Sequence, residues 1–402
     1  MKETENLKTL YDGGKLAKHI FLWGIGKKTK SLLAGIKKEI PDLLIEGIID
    51  NFKSDFLTEY DSVSVFPAAK LEEYEKKDVC VLLAVATSQS IWKMLDALGI
   101  SNVFNLTDPD DRYEPKRCDY SYTFVDRKKD RDALVYVLAG YQKELWDTSL
   151  ARMFEFMEPE FDYCMISSGK HDEQLEELCE KYGWSYLYSD HNQICYLQNL
   201  VIGLHPKAQM FIKLDEDMFI GRKFYSRLLS GYRKAEETGE YRVGCAVPVM
   251  PLNYNSYISY LDAIGKRGEF EKRFGRSYRC VFSAPYSTQE AAVWIWDTLD
   301  SVDSMSDFFS KRDADPKPLC SLYNIGAILY SRQRWIMFGM WPEDSDHSGM
   351  GVDEGYLFRE NMGAGMATYE IQNVFAAHFA FSEQKDMMFD YYHRNHHKFE
   401  MD

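Results

Sequence analysis

Three acidic residues follow an apolar stretch in the middle of the chain. Asp215, Glu216 and Asp217 come directly after residues 210–214, and a second apolar run follows them. If residues 210–214 form a strand, the acids lie beyond its carboxyl end, where open α/β sheets bind ligands. Asp215 and Asp217 are alternate residues, so on an extended chain their carboxylates point the same way, toward one hard cation. The pattern predicts a site for Mn²⁺ or Mg²⁺, which would also bridge diphosphate oxygens; a solvated acidic turn is the alternative.

A second pattern, near the N-terminus, is similar to a dinucleotide-binding loop. Gly24 and Gly26 follow a short apolar run and precede a segment with helical spacing, and Asp50 ends the next predicted strand. Thr29 stands where that fingerprint has Gly or Ala. Cofactor binding and a scaffold or oligomerisation role therefore both stay open for this segment.

Short apolar segments alternate with helical segments in two parts of the chain. We predict strands at 19–23, 44–50, 79–86 and 103–106, and again at 134–139, 161–168 and 210–214. This alternation predicts parallel sheets with crossover connections, and hence an α/β fold. A charged stretch separates the two parts, so we place a first domain at 1–112, a linker at 113–130 and a second domain at 131–402.

Composition narrows the class of protein. The 402 residues contain 63 Asp and Glu against 48 Lys and Arg, a net charge of −15, which argues against a nucleic-acid binder. No apolar run reaches the length of a membrane span, and the N-terminus does not read as a secretory signal. The eight cysteines form no CxxC pair and read as reduced thiols. We expect a cytoplasmic protein that could also lie at the inner face of the membrane. The basic, aromatic residues 391–399 could touch that surface or form a solvated tail.

The spacing of the second part carries a family resemblance. Its first strand runs into Ala139, Gly140 and Tyr141, its second strand ends near Ser167, and a helix containing Asn199 precedes the strand of the three acids. This order resembles the nucleotide-sugar-binding half of GT-A-fold glycosyltransferases. The resemblance covers about residues 131–380. The N-terminal part resembles the Rossmann-like modules attached to sugar-modifying enzymes of surface-polysaccharide pathways.

Three downstream features extend the resemblance. Residues 323–332 are similar to the family's acceptor-side strand, with Gly326 as the small residue. Residues 348–356 are similar to the WGxED segment of inverting members, whose acid takes the proton of the acceptor hydroxyl; Trp is absent here, so Asp353 and Glu354 both stay candidates. His378 follows Asp353 by 25 residues, where family members often place a third metal ligand.

The resemblance implies a metal-dependent glycosyltransferase of the hexosyltransferase type. It would move a sugar from a nucleotide-sugar donor, expected to be a UDP-sugar, to a hydroxyl of a glycan or lipid-linked acceptor, with inversion, in cell-surface polysaccharide synthesis. The implied catalytic acids are Asp353 and Glu354, and the implied metal ligands are Asp215, Asp217 and His378. The implied donor-binding residues are Ala139, Gly140, Tyr141, Ser167, Asn199, Lys213, Asp215, Glu216 and Gly326.

Other functions remain as alternatives. An NAD-dependent sugar-nucleotide oxidoreductase would rest on residues 20–50 alone and would leave the three acids without a role. A nucleotidyltransferase would need a Gly-rich loop after the first strand of the second part, where only Gly140 stands. A nucleotide-sugar-binding module without activity and a retaining mechanism also stay open, as does a homo-oligomer formed through the N-terminal part.

Overall fold

The computed structural model describes residues 2–85, 89–111, 118–281, 283–343, 352–381 and 384–402. The chain divides into two compact units. The first consists of Met1–Arg117 with Trp335–Met340, and the second of Cys118–Arg334 with Trp341–Asp402.

The first unit is built on a mostly parallel sheet. Its strands in the described residues are β1 (His19–Trp23), β2 (Gly47–Ile49), β3 (Glu59–Tyr60), β4 (Val63–Phe66), β5 (Val79–Leu83) and β6 (Val103–Asn105). They stand in the order β3-β4-β2-β1-β5-β6, and only the β3–β4 pair is antiparallel. Every residue of β2 and β5 is buried, which explains why these strands read as continuous apolar runs rather than as alternating ones.

Helices cover this sheet. They are α1 (Lys2–Asp12), α2 (Lys27–Glu39) and α3 (Gln89–Ala97). Leu32, Leu33 and Ile36 of α2 lie in one buried cluster with Leu22 of β1 and Leu82 of β5. The 3.6-residue spacing of these leucines and isoleucine places them on the helix face that packs against the strands.

The second unit contains a larger, mixed sheet. Its strands in the described residues are β7 (Tyr122–Val125), β8 (Ala133–Leu138), β9 (Phe161–Ser168), β10 (Ser185–Ser189), β11 (Met210–Asp215), β12 (Met218–Ile220), β13 (Arg242–Val249), β14 (Lys317–Leu319), β15 (Ala327–Ser331) and β16 (Met366–His378). Their order is β12-β16-β13-β15-β11-β8-β9-β10-β7, and β14 pairs with β16.

The order of strands in this sheet reverses beside β8. The chain proceeds from β8 to β9 and β10 in parallel on one side, and then returns to place β11 in parallel on the other side of β8. In open α/β sheets such a reversal leaves a crevice beyond the carboxyl ends of the two strands. The segments that follow β8 and β11 therefore meet at one edge of the sheet.

Helices alternate with the strands in this part of the chain. From residue 118 onward, the described helices are α4 (Ser149–Glu155), α5 (Glu173–Tyr182), α6 (Ile194–Leu204), α7 (Phe224–Thr238), α8 (Tyr257–Ala263), α9 (Arg267–Phe274), α10 (Ala284–Ser287), α11 (Gln289–Asp297), α12 (Val302–Ser310), α13 (Arg332–Met337), α14 (Val352–Gly363) and α15 (Lys385–Arg394). Buried residues of α8, α9, α11, α12 and α15 join an aromatic core that includes Trp296, Phe309, Phe375 and Phe399.

The predicted α/β fold with parallel sheets is confirmed, but the predicted linker at 113–130 differs from the structure. Residues 122–125 form strand β7, which pairs antiparallel with β10 at the edge of the second sheet. Asp162 then accepts hydrogen bonds from the backbone N–H groups of Lys129 at 2.6 Å and Arg131 at 2.8 Å. An edge strand that is largely solvent-facing carries little apolar patterning, so its pairing depends on backbone hydrogen bonds that sequence does not reveal.

The basic segment 391–399 is packed rather than a solvated tail. Tyr391, Tyr392 and Phe399 are buried, and the Lys398 ammonium donates hydrogen bonds to the carbonyl oxygens of Trp296 and Leu299 at the end of α11. A cation suits these carbonyls, which have no partner within the helix. Among the described residues, no helix is long and apolar enough to cross a membrane.

Candidate active site

The acidic segment after β11 is fixed between two neighbouring strands. The backbone N–H of Glu216 donates to the carbonyl oxygen of Leu138 at the end of β8, at 3.0 Å. On the other side, the N–H of Asp215 donates to the carbonyl oxygen of Gly326 just before β15, at 2.8 Å. The acids therefore lie at the reversal of strand order, as the sequence predicted from their place after a strand.

Glu216 faces away from its acidic neighbours. Its carboxylate accepts hydrogen bonds from the backbone N–H groups of Gly140 at 2.9 Å and Tyr141 at 2.8 Å, and from the indole of Trp146 at 2.6 Å. The prediction that Glu216 contacts a donor is therefore not supported by its placement. Glu216 and Asp217 lie in the tight turn between β11 and β12, and from this turn Glu216 holds the segment after β8 in place.

Asp217 and His378 approach each other in a buried setting. The register of β12 and β16 pairs Met218 with His378, and this places the imidazole Nε2 3.6 Å from the Asp217 Oδ2. The Nδ1 lies 3.2 Å from the carbonyl oxygen of Leu252, which can only accept, so Nδ1 carries the proton. Nε2 then faces the carboxylate: it pairs with Asp217 when it carries a proton, and it offers its lone pair to a metal ion when it does not.

A glutamine adds a third group beside this pair. The Gln142 amide donates to the Asp217 Oδ2 at 2.8 Å, while its buried carbonyl oxygen has no hydrogen-bond partner among the described residues. Burial raises the pKa of Asp217, but the opposing effects of His378 and of the hydrogen bond from Gln142 dominate and lower it to about 2. Asp217 is therefore an ionised carboxylate at neutral pH.

Asp215 is paired with a buried lysine. The Lys213 ammonium lies 2.7 Å from the Asp215 Oδ1 and donates to the carbonyl oxygen of Ile325 at 2.9 Å. Burial acts to lower the pKa of Lys213, but the carboxylates of Asp215 and Asp353 outweigh it and raise this pKa. Burial raises the pKa of Asp215 to about 6, with Lys213 opposing the shift. Lys213 thus offsets the repulsion among the carboxylates at this edge.

The predicted trio of metal ligands is assembled only in part. Across the described residues, no group of three or more His, Cys, Asp and Glu side chains is arranged to hold a metal ion. Asp217 and His378 nevertheless fit a metal ion, because a carboxylate and an imidazole nitrogen converge there. The Gln142 carbonyl oxygen beside them could bind the ion directly or accept a hydrogen bond from a water on it. The Asp215 carboxylate is held by Lys213 instead.

The two candidate bases, Asp353 and Glu354, lie in different environments at the start of α14. The Asp353 Oδ2 accepts a hydrogen bond from the Gln198 amide at 3.2 Å, and its Oδ1 accepts one from the backbone N–H of Glu354 at 2.9 Å. Glu354 instead lines a small cavity whose other walls are mainly apolar: Val247, Ile325, Leu357 and Phe358. Burial raises the pKa of Glu354 to about 8, so this carboxyl is mostly protonated at neutral pH. Residues 348–351 of the WGxED-like segment lie outside the described residues.

The predicted donor-side residues after β8 and β9 lie together. Gly140 has φ of 137°, and a Cβ there would come within 2.8 Å of Lys170 Cε and 3.6 Å of Ser167 Oγ. The Tyr141 ring is 60% exposed, lies 4.4 Å from the Lys170 ammonium, and its hydroxyl donates to the carbonyl oxygen of Ser168. Ala139 is buried, and its backbone N–H donates a hydrogen bond to the carbonyl oxygen of Ile166 in β9.

Gly326 lies against the acidic segment. A Cβ at this position would be 3.6 Å from the Asp215 Oδ2 and only 2.9 Å from the Met218 sulfur. The absence of a side chain therefore lets the segment before β15 pass close to Asp215.

Asn199 does not face this edge of the sheet. Its amide accepts from the backbone N–H of Trp341 and donates to the carbonyl oxygen of the same residue, both at 2.8 Å, and also donates to the Glu343 carboxylate at 2.7 Å. The structure thus gives Asn199 the role of holding a backbone segment, in place of the predicted contact with a donor. Its neighbour Gln198 reaches Asp353 instead, because adjacent residues of a helix point about 100° apart.

Sequence reasoning missed Gln142, Gln198 and Lys170. Gln142 stands three residues after Ala139 and Lys170 two after Ser168, so both follow strands whose ends were already singled out. Position beyond a strand's carboxyl end was therefore an available signal for these two. Gln198 had only its neighbour Asn199 to mark it.

The glycine loop of the first unit is closed by its own hydrogen bonds. The Asp50 carboxylate accepts from the backbone N–H groups of Ile25 at 3.2 Å, Phe52 at 3.1 Å and Lys53 at 2.9 Å. The Thr29 hydroxyl donates to the carbonyl oxygen of Gly24 at 2.8 Å and accepts from the N–H of Gly26 at 3.1 Å. The acid that would bind a ribose in the dinucleotide interpretation is thus engaged by the backbone.

Comparison with known proteins yields remote structural likeness. No protein-family model matches the chain, and no curated protein sequence matches it. The chain is similar to a solved structure of GalNAc-T7 with UDP, GalNAc and Mn²⁺, at 12% identity and a TM-score of 0.38, over 63% of this chain and 44% of that one. It is also similar to the mannosyltransferase PcManGT from Pyrobaculum calidifontis in complex with GDP-Man and Mn²⁺, at 11% identity and a TM-score of 0.36, over 68% of this chain and 63% of that one. The chain thus spans less than two thirds of either protein.

Proposed function

We propose that the second unit is a metal-dependent glycosyltransferase of the GT-A type that uses a nucleotide-sugar donor. One observation carries this proposal: Asp217, which faces His378, and Asp353 both lie near enough to the Lys213–Asp215 pair at the reversal of strand order to shift its pKa values. The site combines ligands for a divalent cation with a separate carboxylate that can take a proton. These are the two requirements for displacing a diphosphate by a hydroxyl.

In this proposal Asp217 and His378 hold Mn²⁺ or Mg²⁺, with Asp215 beside them at the donor. A bound ion would supply neutralisation of the diphosphate charge. Asp353 takes the proton of the acceptor hydroxyl, whose oxygen bonds to the anomeric carbon while the bond from that carbon to the diphosphate oxygen breaks. Such a single displacement inverts the anomeric centre. Glu354 is disfavoured as the base because a carboxyl with a pKa of about 8 already carries a proton at neutral pH.

The finer assignments belong to the same proposal. The donor is a UDP-sugar of the hexose type, held near Gly140, Tyr141 and Ser167, and the acceptor is a hydroxyl of a glycan or lipid-linked molecule of a cell-surface polysaccharide. The first unit serves as a scaffold or an oligomerisation module. The hydrogen bonds of Asp50 to its own backbone support this role over that of an NAD site.

Calorimetry of the purified protein with UDP, GDP, CMP and NAD, each with Mn²⁺ and with EDTA, tests the proposal. We expect UDP to bind only with Mn²⁺ and to raise the melting temperature, since a ligand of the folded state stabilises it by mass action. Asp217→Asn should lose this binding, whereas Asp307→Asn, at an exposed position of α12, should keep it. Binding of NAD alone would contradict the proposal.

A further inference from the structure

A buried chain of hydrogen bonds leads to Asp353 from the interior of the second unit. The indole N–H of Trp341 lies 3.1 Å from the Tyr330 hydroxyl, which lies 2.7 Å from the Tyr136 hydroxyl. The Tyr136 hydroxyl is 2.9 Å from the Gln198 Oε1, and the Gln198 Nε2 is 3.2 Å from the Asp353 Oδ2. The four interior side chains are at most 1% exposed.

The direction of every donor in this chain follows from chemistry at its two ends. The Gln198 NH₂ group donates to Asp353, so its carbonyl oxygen faces Tyr136. Tyr136 must then donate its proton to Gln198, and it accepts from Tyr330. Trp341 can only donate, so it donates to Tyr330. All the donors therefore point toward Asp353.

This chain joins elements that are far apart in sequence. Tyr136 lies in β8, Gln198 in α6 and Tyr330 in β15, while Trp341 lies between α13 and α14. Buried polar groups in a core are costly unless each is satisfied, and apolar side chains of the same size would fill this space at less risk. This series of hydrogen bonds ends on the Asp353 carboxylate in the first turn of α14, which indicates that the series acts on Asp353.

We infer that Gln198 is the positioning residue of Asp353, with Tyr136, Tyr330 and Trp341 orienting Gln198 from behind. The amide fixes one oxygen of Asp353, and the Glu354 N–H at 2.9 Å fixes the other. The two contacts together hold both oxygens of the Asp353 carboxylate in place. The inference rests on the proposed function for its catalytic consequence, but the contact between Gln198 and Asp353 is independent of it.

A test without substrate measures that contact. Gln198→Leu, Asp353→Asn and the double variant form a cycle whose melting temperatures report coupling between the two residues. We expect the two single shifts to be clearly non-additive. Tyr196 lies in the same helix as Gln198, and its hydroxyl donates to the carbonyl oxygen of Tyr120. Tyr196→Phe removes that hydroxyl and should combine additively with Asp353→Asn. Additive behaviour of Gln198 with Asp353 would overturn the inference whatever reaction the protein catalyses.

Turnover then tests the consequence. The probes are UDP-glucose, UDP-galactose and UDP-N-acetylglucosamine with Mn²⁺. The readout is the UDP released when water replaces the acceptor and the donor is hydrolysed. Gln198→Leu should lower kcat about 10–100-fold and leave the donor KM within about threefold. Gln198→Glu should lower kcat at least as much, because it sets a second carboxylate against Asp353. Tyr136→Phe should lose less, and Tyr196→Phe should match the natural protein.

The outcomes separate the inference from the proposed function. In an Asp353→Asn background, Gln198→Leu should change kcat little further, because both residues act through one group. Normal kcat for Gln198→Leu, or an equal loss in kcat and donor affinity, would overturn the positioning role while the glycosyltransferase proposal stands. Absence of turnover in the natural protein with every donor would count against the proposed function, and the melting cycle would then decide the inference.

Discussion

Both units of the molecule carry an aspartate just beyond a parallel strand, and the two aspartates have opposite surroundings. Asp50, after β2, accepts three backbone N–H groups of its own loop. Asp217, after β11, accepts from one glutamine side chain and faces an imidazole 3.6 Å away. A polar residue at a strand end thus becomes a candidate site only where neighbouring backbone does not already satisfy it.

The same distinction runs through the acidic segment itself. Glu216 behaves like Asp50, since two backbone N–H groups and an indole saturate its carboxylate. Asp217, one residue later, points to the opposite side and meets other side chains. Asp50 is saturated because an aspartate readily bonds the N–H groups two and three residues ahead, as in an Asx-turn. Asp217 lies in the turn between β11 and β12, where its carboxylate meets the side chains of Gln142 and His378.

The largest effect should come from removing the carboxylate that the comparison marks as a ligand. Asp217→Ala is expected to abolish Mn²⁺-dependent UDP binding and to lower turnover by at least ~10³-fold, since the ion would lose one of its two assembled ligands. Calorimetry with UDP, with and without Mn²⁺, measures this. Unchanged affinity would mean that the strand-end aspartate of the second unit is as structural as Asp50.

Asp353→Asn should act on turnover and spare binding. We expect a loss of roughly 10²–10⁴-fold in kcat, the usual contribution of a general base, with donor affinity preserved. Steady-state kinetics beside calorimetry on the same variant gives both values. Full activity would reassign the proton transfer to another group or favour a retaining mechanism.

Glu354 should make stability depend on pH. Its pKa is raised to about 8 in the folded protein from an ordinary value of 4.5, so the folded state binds more protons between these two pH values. The free energy of unfolding should therefore fall as pH rises from about 4.5 to 8, by roughly 2–4 kcal/mol for this group. Urea unfolding across this range would show the slope, and Glu354→Gln should remove its share of it. An unchanged slope in the variant would place Glu354 in a more solvated setting.

Asp50→Ala should reverse the pattern of Asp217. Three backbone N–H groups would lose their acceptor, and we expect a loss of about 1–3 kcal/mol in the free energy of unfolding with donor turnover unchanged. Asp42→Ala, at an exposed position in the same unit, serves as the control and should stay within about 0.5 kcal/mol. Loss of nucleotide binding in the Asp50 variant would contradict the comparison.

The last prediction compares the loss of stability on replacing Gly24 with the loss on replacing Gly26. Gly24 has φ of 86°, and a Cβ there would meet Val85 at 2.5 Å, so Gly24→Ala should cost about 1–3 kcal/mol. Gly26 has an extended backbone, and a Cβ there would meet nothing within 4 Å, so Gly26→Ala should cost less than about 0.5 kcal/mol. Thermal unfolding compares them; a selective loss of NAD binding in Gly26→Ala would revive the dinucleotide interpretation.

Much of the fold could be predicted because the core strands have a clear local hydrophobic pattern. The runs that became β5 and β8 are continuously apolar, and this follows from burial on both faces of a parallel sheet. Strand β7 escaped prediction, since an exposed edge strand depends on backbone pairing with β10 rather than on its own side chains.

The candidate site was legible only where chemistry lies next to a strand end. Asp215 and Asp217 could be chosen from sequence because acids directly after an apolar run fall at the carboxyl end of a strand, where open α/β sheets bind ligands. Gln198 could not be chosen, and Asn199 was chosen instead, because which of two adjacent helix residues faces the site depends on the rotation of α6 against its neighbours. The difference is one of packing, which no local pattern encodes.

By itself, the sequence determined the α/β class, the position of the acids after β11 and the residue types available for a cation and a base. These follow from hydrophobic period and from the chemistry of single side chains. Only the tertiary structure decided which polar groups remain available. It saturated Asp50 and Glu216 with backbone N–H groups, brought His378 to Asp217 across the β12–β16 register, and aligned Gln198 on Asp353. Hydrogen-bond satisfaction depends on contacts between residues distant in sequence, so it is settled only when the chain has folded.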